Sequence, residues 1–410
     1  MPKNMPGGEA RSARRDLIRA IQAARGSKVI TYITSDRPML SGQISEDAVP
    51  RIHEHVLAFA PSERGKLDLI IYSRGGDSDV PWSVDSMLRE YCREGSFSVL
   101  VPYRAHSAAT VICLGADEIV MTKAAELGPI DITITSGPHN PSEENRRLPV
   151  SVEDVTGYFA LLDTIGGNRP HEKLRAFELL TTKVHPLVLG SVSRLLQQTQ
   201  LVALGLLGTR SNPFPEAKNQ EIVRKLSSEI YSHRHTINRT EARAYLRLDQ
   251  VVDAESVGLD TSLWDLYRSY RDLFSLEVPF APDEELVASD SDERTWSALP
   301  FACVESENRV DLRVSDLRVR RLRAVPPQVT LNVQLGDIAP PAINIPALPA
   351  AVDPAEITHL VRQLVRPTIQ AMMQPLIERA ASDAAEQLRK SLPSRGFERM
   401  FFNQRWDTGE

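Results

Sequence analysis

The chain has 410 residues, of which 42% are apolar and 25% carry a charge, the balance of a soluble globular protein with room for one large domain and a smaller module. The formal net charge of −6 argues against nucleic acid as a partner, and no uncharged apolar run reaches the roughly 18 residues that predict a membrane-spanning helix. Cys92, Cys113 and Cys303 include no Cys-x-x-Cys pair, so we expect no disulfide framework and no zinc site. We also expect no cofactor. These features are typical of a cytoplasmic protein.

Hydrophobic periodicity predicts helices and strands in alternation over the first part of the chain. The predicted elements are a helix at 9–25, a strand at 28–33, a helix at 46–59, a strand at 67–72, a helix near 79–93, a strand at 97–102, a helix from Ser107 and a strand at 118–121. Strands that alternate with helices are joined by right-handed crossovers and form a mostly parallel sheet. The predicted fold class is therefore α/β with flanking helices, comprising an N-terminal helix (1–27) and a domain at 28–275.

The later part of the chain is predicted to be helical at first and then mixed. A polar loop at 133–150 precedes a helical arm at 151–260, with helices at 151–164, 170–183, 185–208 and 215–232. There follow an acidic linker (276–300), a β-rich segment (301–338) that includes a strand at 329–335, a Pro- and Ala-rich spacer (339–352), an amphipathic helix (353–392) and a tail (393–410). Pro367 and Pro375 are expected to kink or break that helix.

An arginine cluster lies in the β-rich segment, and we interpret it as a solvated strand face rather than a contact for an acidic partner. Its members are Arg313, Arg318, Arg320, Arg321 and Arg323.

Two turns that follow predicted strands carry the residues of chemical interest. The turn at 73–77 contains Gly75 and Gly76, which allow a ligand to approach backbone N–H groups closely. Ser107 lies between a strand and a helix, so its hydroxyl is at a helix N-terminus that favours developing negative charge. The carboxyl ends of parallel strands lie at one edge of the sheet, where ligands bind. The two turns are therefore expected to combine a nucleophile with an oxyanion hole.

Four sequence blocks carry a resemblance to a known family. They are Tyr72-Ser73-Arg74-Gly75-Gly76-Asp77, Ala105-His106-Ser107-Ala108-Ala109-Thr110, Gly115-Ala116-Asp117-Glu118-Ile119-Val120-Met121 and Leu127-Gly128-Pro129-Ile130-Asp131. In this order and spacing they resemble the Clp-fold, or crotonase-like, serine peptidases, above all the serine dehydrogenase proteinases and more distantly signal peptide peptidase A and the Clp protease proteolytic subunit. The resemblance covers roughly residues 28–259. It implies a Clp-like fold, Ser107 as nucleophile, Gly75, Gly76 and Ala108 in the oxyanion hole, and a homo-oligomer.

The sequence leaves the general base open. At the place of the catalytic histidine of the Clp protease proteolytic subunit, this chain has Asp131, so that triad is not predicted. Signal peptide peptidases use a lysine, which burial can convert to the free amine. Among Lys123, Lys173 and Lys183, the apolar neighbours of Lys183 favour it as the base. His106 adjoins the serine, but neighbours in an extended segment point to opposite faces, so we place it, like Asp131, beside the substrate. The remaining candidates are His185 and the pair His233 and His235, the pair being interpreted as solvated rather than metal-binding.

The first hypothesis is thus an ATP-independent, cytoplasmic serine peptidase with a Ser–Lys dyad that cleaves peptides or proteins as a homo-oligomer. The alternative is a Clp-fold protein without peptidase activity. It would be an acyl-thioester enzyme of the crotonase type, with Asp131 as its carboxylate base, or a catalytically silent scaffold. The helix at 353–392 would contact a protein partner or pack on its own chain.

Overall fold

The computed structural model describes residues 8–92, 95–130, 133–134, 138–143, 146–165, 169–230, 235–289, 291–323 and 353–409. The predicted strand at 329–335 and the spacer at 339–352, together with Asp131 and His233, lie outside the described residues. The chain divides into two compact units, the first formed by residues 1–280, 297–316 and 402–410 and the second by residues 281–296 and 317–401.

The first unit alternates strands and helices and then becomes mainly helical. Its helices are α1 (Gly8–Arg25), α2 (Val49–Leu57), α3 (Val80–Tyr91), α4 (Ala108–Leu114), α5 (Val152–Ile165), α6 (Pro170–Thr181), α7 (Pro186–Gly208), α8 (Glu216–Arg224), α9 (Arg239–Ala244) and α10 (Asp260–Phe274). Its strands are β1 (Lys28–Thr34), β2 (Lys66–Tyr72), β3 (Ser96–Val101), β4 (Arg104–Ala105), β5 (Glu118–Met121), β6 (Glu126–Leu127), β7 (Thr133–Ile134), β8 (Ser142–Glu143), β9 (Arg146–Arg147), β10 (Val150–Ser151), β11 (Ile237–Asn238) and β12 (Val251–Asp253).

Three long strands contribute residues to both units, and two further helices belong to the second. The strands are β13 (Glu293–Glu305), β14 (Val310–Arg323) and β15 (Ser394–Gly409), and the helices are α11 (Pro282–Ala288) and α12 (Pro354–Ser391). Among the described residues, no helix combines the length and apolarity that crossing a membrane requires.

The main sheet has eight strands in the order β12-β5-β3-β2-β1-β13-β14-β15. The first five are parallel, with Val99 of β3 opposite both Leu69 of β2 and Ile119 of β5. Strand β13 continues the sheet antiparallel to β1. After its first residue, each of β1, β2 and β3 is buried throughout, as parallel strands covered on both faces are. The predicted α/β class, with a mostly parallel sheet, flanking helices and a long C-terminal helix, is confirmed.

Apolar side chains alternate between two cores, one on each face of the sheet. In β2, Leu69 and Ile71 belong to the core that contains α2, α3, α4 and part of α7. Ile70 and Tyr72 belong to the opposite core, which contains residues of α1 and α10. Because successive side chains of a strand point to opposite faces, this alternation places one helical layer on each side of the sheet.

The segment predicted to be an acidic linker forms regular structure instead. Helix α11 begins with Pro282 at its first position, and three carboxylates, Asp283, Glu284 and Glu285, occupy its first turn. A proline at the first position and acidic groups beside the positive end of the helix dipole both favour a helix start. The tail predicted at 393–410 is the strand β15, because its phenylalanines and Trp406 favour a pleated, half-buried surface.

Two further expectations differ from the structure. Helix α12 continues through Pro367 and Pro375 without a break, since good helix formers, among them Ala371, Met372 and Met373, lie between the two prolines. The polar loop at 133–150 contains the four short strands β7 to β10.

The arginine cluster is only partly a solvated face. Arg313 pairs with Asp47 at 3.0 Å and Arg323 with Asp292 at 2.7 Å, and the side chains of both arginines are largely buried. Arg320 is exposed and pairs with Glu398. The chain therefore supplies acidic partners for these arginines itself.

Candidate active site

Ser107 lies at the turn between β4 and α4 in an unusual backbone conformation. Its φ is 51° and its ψ is −118°, and it is the N-cap residue of α4 although its hydroxyl makes no capping hydrogen bond. A non-glycine residue in such a sparsely populated region costs roughly 1–3 kcal/mol and is found most often at functional sites. The hydroxyl of Ser107 is therefore not occupied by the helix that it precedes.

The glycine turn after β2 lies directly against Ser107. A Cβ atom built on Gly75 would lie 2.6 Å from Ser107 Cβ and 3.1 Å from its Oγ, and the φ of Gly75 is +107°. Gly76 has a φ of +157°, and a Cβ there would lie 2.2 Å from the carbonyl oxygen of Ile44. Only glycine fits at either position, because a side chain at Gly75 would collide with Ser107 and one at Gly76 would collide with the backbone of Ile44.

Backbone hydrogen bonds fix the two turns to each other. Ser73 N–H donates to the carbonyl of Arg104, and His106 N–H donates to the carbonyl of Ser73, both at 3.0 Å. Ile44 N–H donates to the carbonyl of Gly75 at 2.9 Å on the other side. The first turn is thus held between two neighbouring segments, and its backbone has little freedom.

The hydrogen bonds also show which backbone donors remain open. The N–H of Gly75 donates to Ser73 Oγ at 3.0 Å, and Ser73 Oγ is itself held by the hydroxyl of Thr34 at 2.8 Å. The N–H groups of Gly76 and Ala108 make no hydrogen bond to any described residue. Ala108 is the first residue of α4, where helical N–H groups have no partner within the helix. Each of the two turns therefore provides one unpartnered donor.

Thr110 fixes the serine turn from the other side. Its hydroxyl lies 2.7 Å from the carbonyl of Ala105 and accepts the N–H of Gly128 at 3.1 Å. A Cβ on Gly128 would lie 2.9 Å from Cγ of His106, so the glycine leaves room for the imidazole ring. Small residues around the turn thus allow the close packing of Ser107 and His106.

Ser107 opens into a cavity of about 410 Å³. The residues that line it are Arg74, Arg104, His106, Ser107, Glu126, Pro129 and Thr236. Ser107 and His106 are candidates from the sequence, whereas Glu126 and the two arginines were not singled out. Arg74 and Arg104 each come two residues after the end of a predicted strand, and Glu126 comes five residues after the end of a third. This position beyond strand ends at the ligand-binding edge of the sheet is the signal that identifies them.

A charged network forms one wall of this cavity. Asp36 Oδ2 accepts hydrogen bonds from Arg74 Nε and Arg104 Nη1, both at 3.0 Å. Arg104 Nε donates to Glu126 Oε1 at 2.9 Å. His106 Nε2 lies 3.1 Å from the same oxygen, at ion-pairing distance but without hydrogen-bond alignment. Two arginines and two carboxylates therefore balance in charge.

The imidazole of His106 is largely buried, and this affects its protonation. Burial lowers its pKa below the usual 6.5, Glu126 opposes this effect, and the charges of Arg74 and Arg104 lower the pKa further. His106 is accordingly neutral at pH 7, the form in which an imidazole can accept a proton.

The structure does not bring the candidate lysines to Ser107. Lys183 is exposed in the connection between α6 and α7 and does not line the cavity. Its apolar neighbours Leu180 and Leu187 belong to two separate helices and do not enclose it. Lys173 pairs with Asp163 at 2.8 Å, and Lys123 is 77% exposed beside Glu255. The desolvation that a lysine base needs is thus not provided at Lys183.

The remaining histidine candidates have other contacts. His185 caps α7 by accepting the N–H of Leu187 at 3.2 Å and stacks on His139. His235 contacts Glu241 at 2.8 Å. Within the described ranges, no three metal-ligating side chains come together.

Comparison with known proteins gives a family model that matches part of the chain. Residues 4–156 match the model of the ClpP-like SDH-type serine proteinases. The match includes the glycine turn, Ser107 and Glu126. It confirms over this range the resemblance inferred from the four sequence blocks and supports a serine peptidase at the level of the family.

Curated relatives and solved structures give more limited matches. Two uncharacterized proteins of Methanocaldococcus jannaschii, MJ1495 and MJ0137, are each 31% identical over 126 residues, which is 30% and 29% of this chain and 42% of each relative. The chain therefore spans less than half the length of these relatives. A mutant of the 1510-N membrane-bound stomatin-specific protease matches with a TM-score of 0.31 and 13% identity, over 55% of this chain and 81% of that one.

Proposed function

We propose that the chain is a serine peptidase in which Ser107 attacks the carbonyl carbon of a peptide bond. One observation carries the proposal. The strained Ser107 lies against the glycine turn, and each of the two turns that meet there has one open backbone N–H. A nucleophile between two such donors is the arrangement that acyl transfer requires.

The role proposed for the two turns follows from the chemistry of the tetrahedral intermediate. As Ser107 Oγ bonds to the carbonyl carbon, negative charge develops on the carbonyl oxygen. The N–H groups of Gly76 and Ala108 would donate to that oxygen, and losing one such donor typically costs ~10²–10³ in rate. Gly75 contributes differently, since its missing side chain makes space for Ser107 and its own N–H is held by Ser73.

The wider setting is also part of the proposal. We place the peptidase in the cytoplasm, acting without ATP on peptides or proteins, as a homo-oligomer assembled through the helical arm at 151–260. Free, buried cysteines support a reducing compartment. Exposed leucines support an assembly surface on the arm, among them Leu174, Leu187 and Leu201, each at least 60% exposed.

Hydrolysis by purified variants tests the proposal. Wild-type protein, Ser107→Ala and Ser86→Ala would be incubated without ATP with an unfolded protein and with a library of fluorogenic peptides. Ser86 is a matched control because it is also partly buried but lies on α3, where its hydroxyl donates to the carbonyl of Trp82. Cleavage by the wild type and Ser86→Ala, but not by Ser107→Ala, is the expected result. Cleavage by Ser107→Ala at the wild-type rate would refute the assignment of the nucleophile.

A further inference from the structure

We propose that His106 is the general base for Ser107 and that Glu126 is the positioning residue that orients its imidazole. The inference rests on the proposed peptidase function and names the group that activates its nucleophile. It replaces a lysine that does not line the cavity of Ser107 with two side chains that do.

The backbone conformation of Ser107 removes the objection that neighbouring residues point apart. Alternation of side chains holds along an extended strand, and β4 ends at Ala105. Ser107 has a φ of 51° and begins the turn into α4. The chain thus changes direction between His106 and the helix, and both side chains line the cavity.

The orientation of the imidazole ring leaves one nitrogen for the reaction. Nε2 is buried and faces Glu126 Oε1 at 3.1 Å, while the carbon side of the ring packs on Gly128. Among the described residues, the polar contact of the ring is that of Nε2 with Glu126, which leaves Nδ1 open. In catalytic triads the base is held in this way, with one nitrogen against a carboxylate and the other towards the nucleophile. Hydrogen bonds of this kind are often poorly aligned before substrate binds.

The charges around His106 suit a base that works at neutral pH. Among the described residues, Glu126, Arg74 and Arg104 are the charged groups that act most strongly on it, and Asp36 pairs with both arginines. Glu126 is itself fixed by Arg104 at 2.9 Å, so its carboxylate cannot easily turn away from the ring. The neutral imidazole can accept a proton, and the imidazolium that results is stabilised by Glu126.

The step is a proton transfer coupled to acyl transfer. As the bond between Ser107 Oγ and the carbonyl carbon forms, the hydroxyl proton passes to His106 Nδ1 and the carbonyl π pair moves to the oxygen. When the C–N bond breaks, the imidazolium returns its proton to the departing amine. A water molecule then gives a proton to the same nitrogen and attacks the acyl-enzyme, and Ser107 recovers its proton from His106 as the acid is released.

Chemical rescue tests the base directly. His106→Ala should lower kcat/KM for a cleavable peptide by about 10²–10⁴-fold, the usual contribution of a general base, and added imidazole should restore part of it. His106→Gln keeps more of the side-chain volume and serves if the alanine variant does not fold. His185→Ala, which alters a histidine outside the cavity, and Lys183→Met should both keep the wild-type rate.

The pH profile separates a base from a packing residue. The acid limb of kcat/KM should lie below pH 6.5 in the wild type, because the pKa of His106 is lowered. Glu126→Gln removes the charge that opposes this lowering, so kcat should fall and the acid limb should move to lower pH. Glu126→Asp keeps the charge and should retain more activity than Glu126→Gln.

The outcomes distinguish this inference from the proposed function. If Ser107→Ala is inactive while His106→Ala or His106→Gln cleaves at the wild-type rate, His106 is not the general base, but the proposed peptidase function is retained. If the acid limb of kcat/KM lies well above neutral pH in the wild type and is lost in Lys183→Met, the general base is Lys183 rather than His106. Cleavage that persists in Ser107→Ala overturns both.

Discussion

Replacing Gly75 with alanine should disable Ser107 without unfolding the protein. The added Cβ would lie 2.6 Å from Ser107 Cβ, whereas ordinary contact begins near 3.4 Å, so the two residues would have to separate by about 0.8 Å. A displacement of about 1 Å at a reacting group can cost roughly 10²-fold in rate. We therefore expect kcat/KM to fall by about 10²-fold in Gly75→Ala.

The same substitution also has a cost for stability, which a matched control measures separately. Alanine at a φ of +107° should lower the free energy of unfolding by about 1–3 kcal/mol. Gly258 also has a positive φ, of +70°, but a Cβ there meets no atom within 4 Å. Gly258→Ala should lose about 1–2 kcal/mol of stability and no activity. Peptide hydrolysis and urea unfolding would be measured on both variants. A folded Gly75→Ala with the wild-type kcat/KM would refute the close approach of the two turns.

Two further predictions concern stability and assembly. Burial raises the pKa of Asp85 well above 3.8, with Arg89 opposing the effect only in part, so the folded state holds a neutral carboxyl group while the unfolded chain ionises above about pH 4. Each unit by which the folded-state pKa of Asp85 is raised lowers the free energy of unfolding by about 1.4 kcal/mol at pH values above that pKa. Between pH 4 and pH 7, Asp85→Asn should therefore gain stability relative to the wild type. Urea unfolding in which the two proteins differ by the same free energy at pH 4 and at pH 7 would contradict this. The full chain at micromolar concentration should be a homo-oligomer by light scattering, and a strict monomer throughout a dilution series would defeat the proposed role of the arm.

The parallel part of the fold could be predicted from the sequence because its signals are local. Continuous apolar runs mark β1, β2 and β3, and helical periodicity marks the elements between them. The continuation of the sheet by β13 could not be predicted, since it pairs Thr31 with Glu305, which is 274 residues distant. The prediction of a linker from acidic composition was also wrong, because the acidic run forms the first turn of helix α11.

For the site too, the sequence predicts what depends on local order along the chain and not what depends on contacts between distant segments. The order of strands and turns suffices to bring Ser107 and the glycine turn to one edge of the sheet. The network of Asp36, Arg104 and Glu126 joins three separate segments through side chains, and each residue by itself is indistinguishable in sequence from a solvated charge. Lys183 shows the converse, because apolar neighbours in sequence do not ensure burial when they belong to different helices.

Labelling with a fluorophosphonate probe tests the central claim most directly, because the reagent forms a stable bond only with an activated serine. Wild-type protein and Ser107→Ala would be treated with the probe, and the adduct would be located by peptide mass spectrometry. The account predicts one adduct per chain, on Ser107, and no adduct in Ser107→Ala. A folded wild-type protein that remains unlabelled, or a label on another serine that persists in Ser107→Ala, would contradict it.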